Sequence, residues 1–189
     1  MKVSEIEIPV ARSLRISVPQ VRLGALIALG LATFLVGWLV LGGDDSKPAN
    51  GASSASETDL RDLAASSSTP IFWAGPREGQ TYELTRTTDG RVYVRYLPEG
   101  VDAGDPRPQF LTVGTYPRAS AWAELRRAGR KPDAVSRELP NDGMMVFSRT
   151  RPTSVYVGYA GGRYQIEVFH PTPNAARKLV LAGKVVPVR

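Results

Sequence analysis

Residues 23–43, LGALIALGLATFLVGWLVLGG, run for twenty-one positions without a charged side chain. At about 1.5 Å rise per residue such a run matches a hydrocarbon core of about 30 Å, so the sequence predicts one membrane-spanning helix. Lys2, Arg12, Arg15 and Arg22 precede it against Glu5 and Glu7, whereas Asp44, Asp45 and Lys47 follow it. The positive-inside bias then places a tail, residues 1–22, in the cytoplasm and everything from residue 44 outside, which predicts a single-pass protein of the cell membrane. The run exceeds the roughly 7–15 apolar residues of a signal peptide and reads as an uncleaved signal anchor; cleavage near Ala49 to Ala55 is the alternative. Gly24, Ala28 and Ala32 form an i, i+4, i+8 stripe of small residues through which two spans in the lipid bilayer could self-associate.

Residues 44–69, DDSKPANGASSASETDLRDLAASSST, are rich in Ser, Ala and acid. A segment so poor in apolar groups cannot offset its ordering entropy, and it reads as a disordered linker. The remaining residues, 70–189, suffice for one domain. They carry eighteen basic and eleven acidic residues, a net +7, and fifteen of the eighteen are arginine. Guanidinium forks suit carboxylate and phosphate, so anionic envelope polymers or headgroups are the expected neighbours; nucleic acid is discounted for want of a recognition motif. There is no cysteine and one histidine, His170. Disulfides, thiol nucleophiles and sulfur or histidine-cluster metal sites are thereby excluded, and no metal and no cofactor is expected. No G-x-S-x-G elbow, P-loop or H-E-x-x-H motif occurs, so no catalytic residue is assigned and the chain reads as a non-enzyme.

Within 70–189 the pattern alternates. Thr81 to Thr87 and Arg91 to Leu97 flank Thr88-Asp89-Gly90, a hairpin with Tyr82, Leu84, Val92, Val94 and Tyr96 on one face and Arg91, Tyr93 and Arg95 on the other. Phe110 to Pro117 reads as a strand leading into a helix, 118–129; Arg163 to Pro171 reads as a strand leading into a helix, 173–182, with Thr172 as N-cap. The two strand–Pro–helix–Gly units, 109–130 and 163–184, match at an offset of 54 residues, with Pro117 on Pro171, Leu125 on Leu179 and Gly129 on Gly183. Their apolar positions differ in phase by one residue, which a bulge at Gly114 would reconcile. The fold class expected is α+β: a transmembrane helix plus one exterior domain, an antiparallel sheet with both helices on one face and Trp122, Leu125, Ile166, Val168 and Leu179 in its core.

Leu111-Thr-Val-Gly-Thr-Tyr-Pro with its Ala/Leu/Arg helix, and Tyr164-Gln-Ile-Glu-Val with Asn174-Ala-Ala-Arg-Lys-Leu and Val185-Val-Pro-Val, resemble the two halves of a SPOR domain, the sporulation-related repeat. The resemblance covers residues 109–189. It implies a β-α-β-β-α-β sheet of ferredoxin-like type on a tethered anchor, and peptidoglycan as ligand. The spacing between halves leaves room for an extra hairpin, and residues 70–97 have no counterpart in that family.

The function expected is a non-catalytic exterior module binding a cell-envelope polymer, peptidoglycan foremost. Its contacts would come from the sheet face away from the helices, where alternation places Thr112, Gln165, Glu167 and Phe169, with Tyr116 near the strand end. One alternative is a protein–protein adaptor of a membrane complex using Arg91, Tyr93 and Arg95. Another is a carboxylate-dependent hydrolase.

Overall fold

The computed structural model describes residues 48–189. Ten strands form: β1 (Pro48–Ala55), β2 (Phe72–Trp73), β3 (Gln80–Thr87), β4 (Val92–Pro98), β5 (Thr112–Pro117), β6 (Ala134–Leu139), β7 (Gly143–Ser148), β8 (Ser154–Tyr159), β9 (Tyr164–Phe169) and β10 (Val186–Pro187). Three helices accompany them: α1 (Glu57–Ser66), α2 (Ala121–Ala128) and α3 (Ala175–Leu181). Eight strands make one antiparallel sheet in the order β1-β3-β4-β5-β9-β8-β7-β6, and β10 pairs with β2 beside it.

The hairpin turns have local causes. Gly90 supplies the positive φ, +82°, between β3 and β4, and Asn141 and Asp142 take φ of 58° and 53° between β6 and β7, as a tight turn between twisted strands needs. Helix α3 ends with Gly183 at φ +64° and paired bonds from Gly183 N to Val180 O and Lys184 N to Leu179 O, a Schellman closure. Its start differs from the sequence expectation. Asn174, not Thr172, is the N-cap, in the left-handed conformation that asparagine tolerates.

The expected fold class needs correction on three counts. The described part is dominated by one large sheet, it carries three helices, and α2 and α3 lie on opposite faces of that sheet. Val113, Thr115, Ile166, Val168, Val155 and Val157 share one face through the pairings Val113↔Val168, Thr115↔Ile166 and Val157↔Ile166. Ala176 and Val180 of α3, Leu60 of α1 and the Phe72–Trp73 strand pack there. Leu125 and Ala128 of α2 pack on the other face, against Val146 and Tyr156.

The phase difference between the two units explains this. Strands β5 and β9 pair without a shift from Thr112↔Phe169 to Pro117↔Tyr164, so no bulge forms at Gly114. Pro117 therefore falls in phase with Val113 and Thr115, whereas Pro171 follows in phase with Glu167 and Phe169. In each unit the helix covers the face opposite its proline's phase, and a one-residue difference sends the two helices to opposite sides.

The disordered linker expected over 44–69 is also corrected where it is described. Ser56 and Asp59 form a reciprocal capping box, Asp59 N donating to Ser56 Oγ at 3.1 Å and Ser56 N to Asp59 Oδ2 at 2.7 Å. Helix α1 then seats Leu60, fully buried, in the main core, and Arg61 donates to the carbonyl of Arg189 at the chain terminus. A Ser/Ala-rich composition folds here because Leu60, with Leu63 and Ala64 beside it, and one cap suffice to dock a ten-residue helix on a sheet that already exists. The membrane-spanning run 23–43, its stripe of Gly24, Ala28 and Ala32, and the tail 1–22 lie outside the described residues. Among the described residues no helix is long and apolar enough to cross a membrane.

Candidate functional site

The α2 face of the sheet gathers both sets of sequence-selected residues. Pairing aligns them in rows across the strands: Glu83, Arg95, Thr112, Phe169 and Ser154 in one, Thr85, Tyr93, Gly114, Glu167, Tyr156 and Val146 in the next. Tyr116 and Gln165 form a third, beside Arg91. Residues separated widely in sequence thus share one surface, because direct cross-strand partners project to the same side.

At its centre is a buried carboxyl. Glu167, 4% exposed, accepts from Tyr116 Oη at 2.6 Å and from Tyr156 Oη at 3.2 Å. Burial raises its pKa above the ordinary carboxylate value, and the two tyrosine hydrogen bonds hold it back only in part. Burial, with the neighbouring Glu167, drives the phenols of Tyr116 and Tyr156 well up, so both are fixed as neutral donors. Tyr93 stands edge-on to Tyr116, ring centroids 5.6 Å apart, and burial raises its phenol too, against the pull of Arg91. The Arg91 guanidinium lies 6.0 Å from the Tyr116 ring centre while pairing with Asp89 at 2.7 Å.

Gly114 makes the Tyr116–Glu167 contact possible. A Cβ at this position would lie 2.7 Å from Tyr116 Oη and 2.9 Å from its ring carbon Cζ. The tyrosine can lean along its strand to reach Glu167 only because position 114 has no side chain. Ser154 Oγ is buried in the next row without a hydrogen-bond partner of normal geometry, although it lies close enough to favour the ionised Glu167.

The flank of this face is closed by the 99–110 loop. Glu83, 5% exposed, receives Arg95 Nη1 on both carboxylate oxygens at 3.1 Å and Gly104 N at 2.8 Å. Arg95 also donates to the Arg107 carbonyl, and Phe110 sits between the two guanidiniums, 4.8 Å from Arg95 and 5.5 Å from Arg107.

The face expected to meet a glycan is therefore covered at its centre. Gln165, Glu167 and Tyr116 are buried, and Thr112 and Phe169 are half-buried. Of the alternative partner face, Tyr93 is buried and Arg91 and Arg95 are engaged with Asp89 and Glu83. The sequence reading missed Tyr156, although the alternation Ser154, Tyr156, Gly158 along β8 places it opposite Glu167 once the second hairpin is drawn. Among the described residues no group of three or more acidic or histidine side chains is spaced to hold a metal. His170 is half-buried, its Nδ1 accepting from Thr172 N at 3.0 Å, with its pKa lowered by burial and by Arg77. An open depression lies elsewhere, between Ser54, Gln80, Glu99 and Asp102.

Chemically, the Glu167 cluster is a buried hydrogen-bond network that ties β5, β9 and β8 together. No family model, curated protein or solved structure matches the chain.

Proposed function

We propose that the chain is a non-catalytic module that binds an anionic cell-envelope polymer, peptidoglycan foremost, at the outer side of the membrane in which the run 23–43 would hold it. The observation that carries this reading is the division of charge by strand order. Residues 48–111, which supply β1, β3 and β4, carry six basic and nine acidic side chains, a net −3. Residues 112–189, which supply β5 through β9, carry thirteen basic and five acidic, a net +8, and one of those five is the buried Glu167. Because the sheet order keeps these two sets of strands on opposite sides, the molecule has a basic half that would orient on a polyanion.

The SPOR resemblance points to the same ligand class. The row that alternation offered to a sugar is buried at Tyr116, Gln165 and Glu167 and half-buried at Thr112 and Phe169, and no aromatic side chain is fully exposed among the described residues, so the reading rests on charge rather than on ring stacking. Full-length protein in mild detergent, mixed with purified peptidoglycan sacculi, tests it. Co-sedimentation that persists at about 0.15 M salt supports the module; absence of retention at any ionic strength, with a discrete membrane protein co-purifying instead, overturns it in favour of the adaptor.

A further inference from the structure

Arginine–carboxylate pairs among the described residues include Arg61–Glu57, Arg91–Asp89, Arg95–Glu83 and Arg107–Asp105 in the acidic half and Arg118–Glu124 in the basic half, where the Arg127 charge also acts on Glu124. Helix α2 turns Ala121, Leu125 and Ala128 to the sheet and leaves Ala123, Arg126 and Arg127 exposed, with Ala119 exposed just before it and Arg130 just after it. None of the three arginines is in an ion pair among the described residues. Arg149, also exposed, is tied to the loop that follows Arg130, its backbone N–H donating to Asp133 O at 2.9 Å and its Nη1 to Pro132 O at 3.3 Å. Asp133, the one acid between 125 and 137, is occupied by Ser148 Oγ at 2.8 Å.

A helix C-terminus accounts for cations in its last turn, Arg126 and Arg127. It does not account for Arg130 beyond the helix end, nor for Arg149 from another strand. Arg126, Arg127 and Arg130 fall within five consecutive residues at the end of α2 and just past it, where like charges repel. A cluster kept together against its own repulsion, in the half of the molecule with few acids, is complementary to oxyanions that repeat along a chain.

We propose that Arg126, Arg127, Arg130 and Arg149 form an oxyanion-binding ridge that grips carboxylates of the envelope polymer, not its sugar rings. This rests on the function proposed above, since peptidoglycan presents such carboxylates on its peptide stems. A polymer fits the ridge better than a bilayer surface does: the fully exposed positions of α2 are alanine and arginine, Trp122 is half-buried, and the exposed large apolar side chains, Leu181 and Val186, belong to α3 and β10.

The test uses full-length protein reconstituted in zwitterionic nanodiscs, with native sacculi, sacculi whose carboxylates have been amidated, and vesicles of anionic lipid. Three proteins are compared: wild type, R126Q/R127Q/R130Q, and the charge-matched control R86Q/R163Q/K184Q, whose positions are also exposed. The ridge variant should bind native sacculi about tenfold more weakly at an unchanged melting temperature, the control within about twofold of wild type, and amidated sacculi should release wild type as well. Equal weakening by both variants, or full binding to amidated sacculi, overturns the ridge while leaving the polymer-binding module standing. Tighter capture by anionic vesicles than by sacculi, lost in the ridge variant, overturns the polymer in favour of a membrane surface. No retention of wild type on sacculi removes the proposed function itself.

Discussion

The Tyr116 hydroxyl donates a 2.6 Å hydrogen bond to the Glu167 carboxylate across two neighbouring strands, joining residues 51 apart in sequence over a glycine that has no side chain to obstruct it. A buried carboxyl with no cation at hand depends on such donors, and each partner's removal exposes the cost of burying the other.

Tyr116→Phe should destabilise the domain by about 1–3 kcal/mol, since it leaves a buried carboxyl with one fewer donor. In a Glu167→Gln background the same change should cost less. Urea unfolding of the four proteins in this cycle gives the coupling, and strictly additive effects would show that the contact carries no energy.

The pH dependence has a definite sign. Burial raises Glu167 above the ordinary 4.5, so the folded state prefers the protonated form. Its stabilising contribution is fully present below 4.5 and is lost as pH rises through the folded value. Carboxyls with lowered values, such as Glu124 and Asp105, run the opposite way, so the informative quantity is wild type minus Glu167→Gln. That difference should fall as pH rises from 4 toward neutrality; a flat difference in melting temperature contradicts the assignment.

Gly114→Ala should cost about 1–3 kcal/mol, more than a surface-strand alanine, because the added methyl meets the Tyr116 ring and must displace it from Glu167. Tyrosine absorbance titration offers an independent readout, since a displaced Tyr116 would ionise nearer its ordinary value. A variant as stable as wild type would mean that the ring finds another seat.

Leu60→Asp separates a docked helix from a linker. With Leu60 fully buried in the main core, the substitution should cost several kcal/mol and lower the melting temperature of the whole domain. An unchanged melting temperature would return residues 56–66 to a free tether.

Much of the local architecture is legible in the sequence. The Asp-Gly and Asn-Asp-Gly turns, the alternation of Tyr82, Leu84, Val92, Val94 and Tyr96, and the two strand–proline–helix units all follow from short-range sterics and periodicity, which act over a few residues whatever the rest of the chain does. The charge asymmetry between 48–111 and 112–189 is likewise written in the residues themselves. What only the tertiary structure decided is which face each side chain meets. The one-residue phase difference between Pro117 and Pro171 is visible in the sequence, yet a bulge or a change of face would satisfy it equally, and the unshifted pairing of β5 with β9 selected the latter. That choice put α2 over Tyr156, beside Glu167, turned an expected open binding row into a buried carboxyl–tyrosine cluster, and left the arginines on the helix's far side exposed. Leu60 was decided in the same way: with Leu63 and Ala64 it makes only a short apolar edge in a Ser/Ala-rich stretch, and only a core built by strands distant in sequence gives it somewhere to go.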